Sequence, residues 1–281
     1  MQTVRNVALE GKHKKPIVTD LFYKKDNNSK PVVIFCHGYK GYKDWGAWNL
    51  AAERFAQNNI FFVKFNFSHN GGTLEQPIDF PDLEAFGKNN YTKELDDLES
   101  VLDWILDNQE IKNEIDPENI TLIGHSRGGG IVGIKASEDS RITKIISWAG
   151  VSDFGSRFPK EDALKKWKKD GVYFIINGRT KQEMPHFFQF YSNFKENEKR
   201  LNIESAIKNI RIPHLIIHGS NDETVNVEEA KNIHLWSPKS ELKIINGANH
   251  TFDSKHPYNS SYLPSKMVEL VDLSINFIKN I

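Results

Sequence analysis

The sequence predicts a three-layer α/β/α sandwich around a mostly parallel sheet, on three observations. Short apolar runs alternate along the chain with amphipathic, helix-length segments, and parallel strands need crossovers of that kind. One of those runs, Asn119 to Ile123, leads through a glycine-bracketed serine into a small-residue stretch that reads as a helix. The chain has 281 residues, 38% hydrophobic and 11% aromatic, enough for one large α/β domain carrying an insertion.

Taken in order, Ile17 to Tyr23 and Pro31 to Cys36 read as strands, the second a continuous apolar run suited to a sheet covered on both faces. A helix is expected over Trp45 to Asn58 and a strand over Ile60 to Phe67. Ser68 to Asn90, rich in Gly, Pro and Asn, reads as a long loop of the sort that lines sites. Tyr91 to Asp107 carries Leu95, Leu98, Leu102, Ile105 and Leu106 at helical spacing with acids between them. After the serine turn and its helix, Ile142 to Trp148 is a strand. The rhythm then resumes with His214 to His218 (strand), Val227 to Trp236 (helix), Leu242 to Ile245 (strand) and a closing helix over Pro264 to Ile281.

Between these, residues 151 to 210 break the alternation. Asp162 to Lys169 reads as a helix and Val172 to Asn177 as a short hairpin strand. Gln182 to Glu196 is crowded with Phe187, Phe188, Phe190, Tyr191 and Phe194. The segment is expected to be a helical cap folded over one edge of the sheet within a single domain spanning residues 1–281.

Charge and composition exclude several classes. Lys plus Arg and Asp plus Glu are 37 each, so no polyanionic partner such as nucleic acid is expected. No apolar run is long enough to cross a bilayer, no membrane partner is expected, and the N-terminus lacks the apolar core of a signal peptide. The single cysteine, Cys36, lies in a strand and fits a reducing compartment, so a cytoplasmic location is expected. Oligomeric state is not readable from the chain.

The turn Gly124-His125-Ser126-Arg127-Gly128 has the form of a nucleophile elbow, whose tight backbone needs small residues two positions before and after the serine. A serine hydroxyl is a poor nucleophile at neutral pH and needs an exposed perch, a base, and donors for the oxyanion it creates. The bland reading makes Ser126 a helix N-cap. Gly128, Gly130 and Gly133 also match the dinucleotide fingerprint, but the first glycine lies inside the elbow and no acid closes a second strand at ribose distance.

The remaining groups follow in the order serine, acid, histidine that this architecture uses. Asp222 lies in the turn-rich loop after the strand at His214 to His218, with Glu223 beside it as the competing acid. His250 lies in the loop after the last strand. The N–H of Arg127 and that of Tyr39, in the turn His37-Gly38-Tyr39, are the candidate oxyanion donors, and His37 is expected to pin that turn. His214 and His218 share a strand face without a third ligand at recognisable spacing, so core or loop-pinning roles are expected, with no metal and no cofactor.

Together, His37-Gly38-Tyr39, Gly124-His-Ser126-Arg-Gly-Gly129, His218-Gly-Ser-Asn-Asp222 and Gly247-Ala-Asn-His250 resemble the α/β-hydrolase superfamily. Within it the chain is most similar to bacterial carboxylesterases of the cinnamoyl/feruloyl type and to the catalytic domain of prolyl oligopeptidases, from about Pro31 onward. The resemblance implies Ser126 as nucleophile, Asp222 and His250 as its partners, and Tyr39 and Arg127 as oxyanion donors. No large N-terminal domain like that of the oligopeptidases is present, so a small-molecule carboxylic ester or thioester is the expected substrate. Peptide cleavage or acyl transfer on the same triad, or a catalytically silent binding protein, are the alternatives. Expected substrate contacts are His125, Trp148, Phe187, Tyr191 and Thr251.

Overall fold

The computed structural model describes residues 1–280, so the last residue of the expected closing helix, Ile281, lies outside the described residues. In chain order the elements are β1 (Gln2–Leu9), β2 (Ile17–Tyr23), β3 (Lys30–Cys36), α1 (Trp48–Gln57), β4 (Phe61–Asn66), α2 (Leu83–Gly87), α3 (Tyr91–Asp107), β5 (Ile115–His125), α4 (Arg127–Glu138) and β6 (Lys144–Trp148). There follow α5 (Glu161–Asp170), β7 (Val172–Ile176), β8 (Glu183–Phe187), α6 (Gln189–Glu196), α7 (Ile203–Asn209), β9 (His214–Gly219), α8 (Val227–Trp236), β10 (Ser240–Ile245) and α9 (Ser265–Lys279).

An eight-stranded sheet has the order β1-β2-β4-β3-β5-β6-β9-β10. From β4 to β10 neighbouring strands run parallel, while β2 is antiparallel to both β4 and β1. Because side chains alternate across a strand, the unbroken apolar run of β3 feeds two cores at once. Val32, Ile34 and Cys36 pack with α3 residues Leu95, Leu98 and Leu102 and α4 residues Ile131 and Ile134. Val33 and Phe35 pack on the other face with Ala51 and Phe55 of α1 and Met267 and Leu270 of α9. These are the two helical layers the alternation implied, and Cys36 is a free, buried thiol.

Some elements differ from their sequence reading. β1 is an edge strand whose half-exposed, polar-rich sequence carries little apolar signal; its register slips between Val4 and Val7. The expected long loop at Ser68 to Asn90 contains the short α2, capped by Asp82 through its carboxylate and the Ala85 N–H. The insertion between β6 and β9 holds α5, a hairpin of β7 with β8, α6 and α7; β8 and α7 carry no clear periodicity. No helix among the described residues is long and apolar enough to cross a membrane.

The loop after β3 is tied to the sheet by buried charge. Lys43 and Lys64 both reach the Asp20 carboxylate, at 2.9 and 2.8 Å, and both also reach Asp44. Asp20, Lys43 and Lys64 are fully buried, so each charge depends on the others for compensation. Asn66 Oδ1 further accepts the Lys43 N–H at 2.7 Å, which fixes the segment just beyond Tyr39.

Candidate active site

β5 ends at His125 and α4 begins at Arg127, leaving Ser126 alone between them with φ 56° and ψ −118°. That conformation is sterically expensive for an L-residue, of order 1–3 kcal/mol, and persists only when the surroundings impose it. Two glycines let those surroundings close. A Cβ on Gly124 would fall 2.2 Å from the Gly128 carbonyl oxygen, and one on Gly128 would fall 2.3 Å from the Cys36 carbonyl oxygen. Although Ser126 occupies the N-cap position of α4, its side chain makes no capping hydrogen bond, which disposes of the N-cap reading. Its backbone is held instead: the Ser126 N–H donates to the Trp148 carbonyl at 2.9 Å, and its carbonyl accepts from Gly129 and Val151.

The acid and the imidazole meet in the loops after β9 and β10. His250 Nδ1 donates to Asp222 Oδ2 at 2.8 Å, and Asp222 Oδ1 accepts the N–H groups of Thr224 and Val225, both at 2.8 Å. His218 Nε2 lies 3.2 Å from the same Oδ2 and 2.8 Å from the Val225 carbonyl, so it donates toward both and fixes the acid's loop. Burial acts to raise the Asp222 carboxyl, but the hydrogen bonds from His218 and His250 outweigh it and hold it well below the usual carboxylate range. Glu223 lines an outer cleft that His250 and Thr251 also border, but makes no hydrogen bond or ion pair with His250 among the described residues.

Ser126 and His250 line one cavity of about 520 Å³, together with His37, Tyr39, Trp45 and Trp48. Among the described residues the hydroxyl and the ring form no hydrogen bond, a contact that in hydrolytic sites often forms or tightens only when substrate arrives. The loop after β3 approaches so closely that a Cβ on Gly38 would lie 2.9 Å from Ser126 Cβ. The N–H groups of Tyr39 and Arg127 have no internal acceptor among the described residues, as expected for the first residue of a helix and for a turn aimed at a ligand. His37 pins that turn: Nδ1 donates to the Gly38 carbonyl at 2.9 Å and Nε2 accepts from the Phe67 N–H at 3.4 Å.

A second, smaller cavity of about 230 Å³ lies under the insertion, and Ser126 and Tyr39 are the residues that line both. Tyr91, Arg127, Phe154, Tyr173, His186 and Phe190 form much of its wall. Here β8 matters: it delivers His186, whose Nε2 accepts from the Tyr39 hydroxyl at 2.7 Å.

The expected substrate contacts divide. Thr251 lines the larger cavity. His125 lines it as well, and its Nε2 donates to the His250 carbonyl at 2.9 Å, bracing that loop. Trp148 is a correction: β6 turns it into the layer of α1 and α9, fully buried, stacked 5.9 Å from Trp48 with Nε1 donating to Ser274 Oγ at 3.0 Å. Phe187 and Tyr191 are corrections too. Phe187 covers Gly87 of α2, Tyr191 packs on Phe158 and Phe188, and neither lines either cavity, because β8 turns Phe187 onto α2 and α6 turns Tyr191 into the insertion. His214 Nε2 meets Ser147 Oγ at 2.9 Å in the core, and neither residue lines either of these two cavities.

A β5-turn-α4 serine at the carboxyl edge of a doubly covered parallel sheet, with an acid–imidazole pair after the next strands, defines a hydrolase of the α/β-hydrolase fold. The chain belongs to the BD-FAE family, whose model matches residues 19–236, a span that holds Ser126 and Asp222 and ends before His250. It is similar to Est1E from Butyrivibrio proteoclasticus, with TM-score 0.70 at 14% identity over 98% of each chain. It is also similar to a putative hydrolase from Agrobacterium vitis S4, with TM-score 0.74 at 16% identity over 99% of each chain. Over 115 residues, 41% of this chain, it is 30% identical to the platelet-activating factor acetylhydrolase of Canis lupus familiaris, a stretch spanning 23% of that protein's length.

Buried neutral imidazoles give the fold an acid weakness. Burial pushes His37 down to about 4 and His125, His186 and His214 down to about 3, against an ordinary value of 6.5. As pH falls from 6.5 toward 4 the unfolded chain takes up these protons and the folded chain does not, so stability falls. Asp97, raised to about 7 by burial, and Glu94, also raised by burial, work in the opposite sense but are two groups against four. The urea midpoint should therefore drop steadily between pH 6.5 and 4.5, as the unfolding free energy falls by about 1.4 kcal/mol per pH unit for each net proton. A midpoint that is flat or rises over that interval would contradict this burial pattern.

Proposed function

We propose that this chain is a serine carboxylesterase acting on a small-molecule ester through an acyl-Ser126 intermediate. The observation that carries the reading is the 2.8 Å contact between Asp222 and His250, made at the rim of the cavity that the strained Ser126 also lines. Similarity to an acetylhydrolase supports acyl–oxygen cleavage.

In this mechanism His250 Nε2 takes the Ser126 hydroxyl proton as Oγ attacks the ester carbonyl, and the carbonyl π pair moves onto oxygen. The N–H groups of Tyr39 and Arg127 receive that oxyanion; one such donor is worth about 3–4 kcal/mol of transition-state stabilisation. Collapse breaks the bond to the alcohol oxygen, which leaves with the proton from His250. Water then repeats the sequence on the acyl-serine, returning Ser126 and releasing the acid. Throughout, the ionised Asp222 keeps the Nδ1–H tautomer and stabilises the transient imidazolium.

The two cavities divide the substrate. Because His250 hands its proton to the departing alcohol, the leaving group belongs in the 520 Å³ cavity that His250 lines. The acyl group then occupies the 230 Å³ chamber on the other side of Ser126.

Replacing Ser126 by alanine should lower kcat on short-chain esters by roughly 10⁴-fold or more, leaving the circular dichroism spectrum unchanged. Turnover equal to the parent's would end the proposal. Since Asp222 stays ionised well into acid, the rise of kcat/KM from acidic to neutral pH should follow one proton, that of His250. A flat profile over that range would remove His250 as the base. Asp222→Asn loses the acceptor for two imidazole N–H groups and should cost about 10³–10⁴-fold in kcat, measured on the same ester; a loss below tenfold would mean another acid orients His250.

A further inference from the structure

The smaller chamber contains a cation with too few partners. Arg127 lies with its guanidinium over the rings of Tyr39 at 4.5 Å, Tyr91 at 5.3 Å and Phe190 at 5.4 Å. Among the described residues its side-chain hydrogen bonding is a single contact, Nη1 to Glu94 Oε1 at 3.3 Å. Charge-assisted bonds of this kind are normally about 2.7–2.9 Å, and a guanidinium offers five N–H groups in a fork suited to two-point binding.

Arginines with structural roles elsewhere in the molecule look different. Arg54 grips Asp272 through two bonds of 2.7 Å, and Arg200 grips Glu138 at 2.7 and 2.8 Å. Arg157, in the same chamber, engages both oxygens of Glu229. Glu94 is a poor counterpart by comparison. Its Oε1 is shared with Asn89 Nδ2 at 2.7 Å, and its Oε2 is buried with no partner among the described residues. Burial also raises the Glu94 carboxyl, which weakens the negative charge available to Arg127.

A largely buried guanidinium with spare donors, one residue from the nucleophile and lining the acyl chamber, is arranged to receive an anion from the substrate. We propose that the chamber takes an acyl chain ending in a carboxylate, so that the preferred substrate is a monoester of a short dicarboxylic acid, with Arg127 binding the free carboxylate. This rests on the esterase reading and on the division of the two cavities given above. The acyl chain is short because 230 Å³ lies below the roughly 300 Å³ at which pockets for drug-sized ligands begin. The aromatic rings around Arg127 lower the local dielectric and exclude water, which strengthens the pairing.

The test compares monomethyl glutarate with methyl pentanoate, esters of equal acyl length, by proton release in a pH-stat. The parent protein should prefer the charged ester by about tenfold or more in kcat/KM. Arg127→Gln should collapse that ratio toward one and Arg127→Lys should keep part of it. Any loss through the Arg127 backbone N–H is common to both esters and cancels in the ratio. Independently, glutarate should bind Ser126→Ala in calorimetry and fail to bind Ser126→Ala/Arg127→Gln. Equal turnover of both esters by the parent, or a ratio that survives Arg127→Gln, overturns the proposal and leaves the esterase reading intact. If neither ester is hydrolysed, the esterase reading fails, and glutarate binding alone decides the chamber: binding that needs Arg127 upholds it as a carboxylate site, and absence of binding overturns it.

Discussion

The rest of the site depends on the backbone of Ser126, held at φ 56° and ψ −118° where an L-residue would not rest unaided. The constraint comes from both sides. Gly124 and Gly128 bring β5, α4 and the end of β3 into contact distances that no side chain could share, and hydrogen bonds from the β6 side lock the serine's own N–H and carbonyl. The strain has a chemical use: it lifts the hydroxyl off the helix, frees it from a capping bond and leaves the Arg127 N–H without an acceptor.

Around that turn, the histidines divide the labour by their partners. His250 faces the cavity and is oriented by Asp222, while His37, His125 and His218 are buried and spend their ring nitrogens on backbone groups or on the acid. Each holds one of the loops that converge on Ser126. Burial of His37 and His125 in neutral form ties two of these loops to acid instability. The buried Asp20, Lys43 and Lys64 cluster serves the same purpose for the loop carrying Tyr39, anchoring it to the antiparallel side of the sheet.

Much of this was legible in the sequence because local chemistry and global fold agree. Helix α3 is bounded by Tyr91 and Asp107 as its spacing implies, and α8 by Val227 and Trp236. The serine turn is readable because glycine is required at two fixed positions, and Asp222 and His250 because turn-rich loops follow apolar strands. What stayed hidden was contact between distant segments. Trp148 sits in a strand, and only the sheet's facing pattern decides that it enters the α1/α9 core. The aromatics of residues 187–194 separate into packing and lining roles according to a hairpin whose strand β8 has no alternation to announce it. Glu94 did leave a trace: an acid on the same face as Tyr91, Leu95 and Leu98 is out of place on an apolar stripe, and its reason is Arg127.

Intact-mass measurement and peptide mapping after exposure to a fluorophosphonate test the central claim most directly, because the reagent bonds to a hydroxyl only where a base and oxyanion donors already act on it. A single adduct on the peptide containing Ser126, formed rapidly in the parent and far more slowly in His250→Ala, is the result expected. A protein that stays unmodified, or one modified on a different residue at a rate that ignores His250, would contradict it.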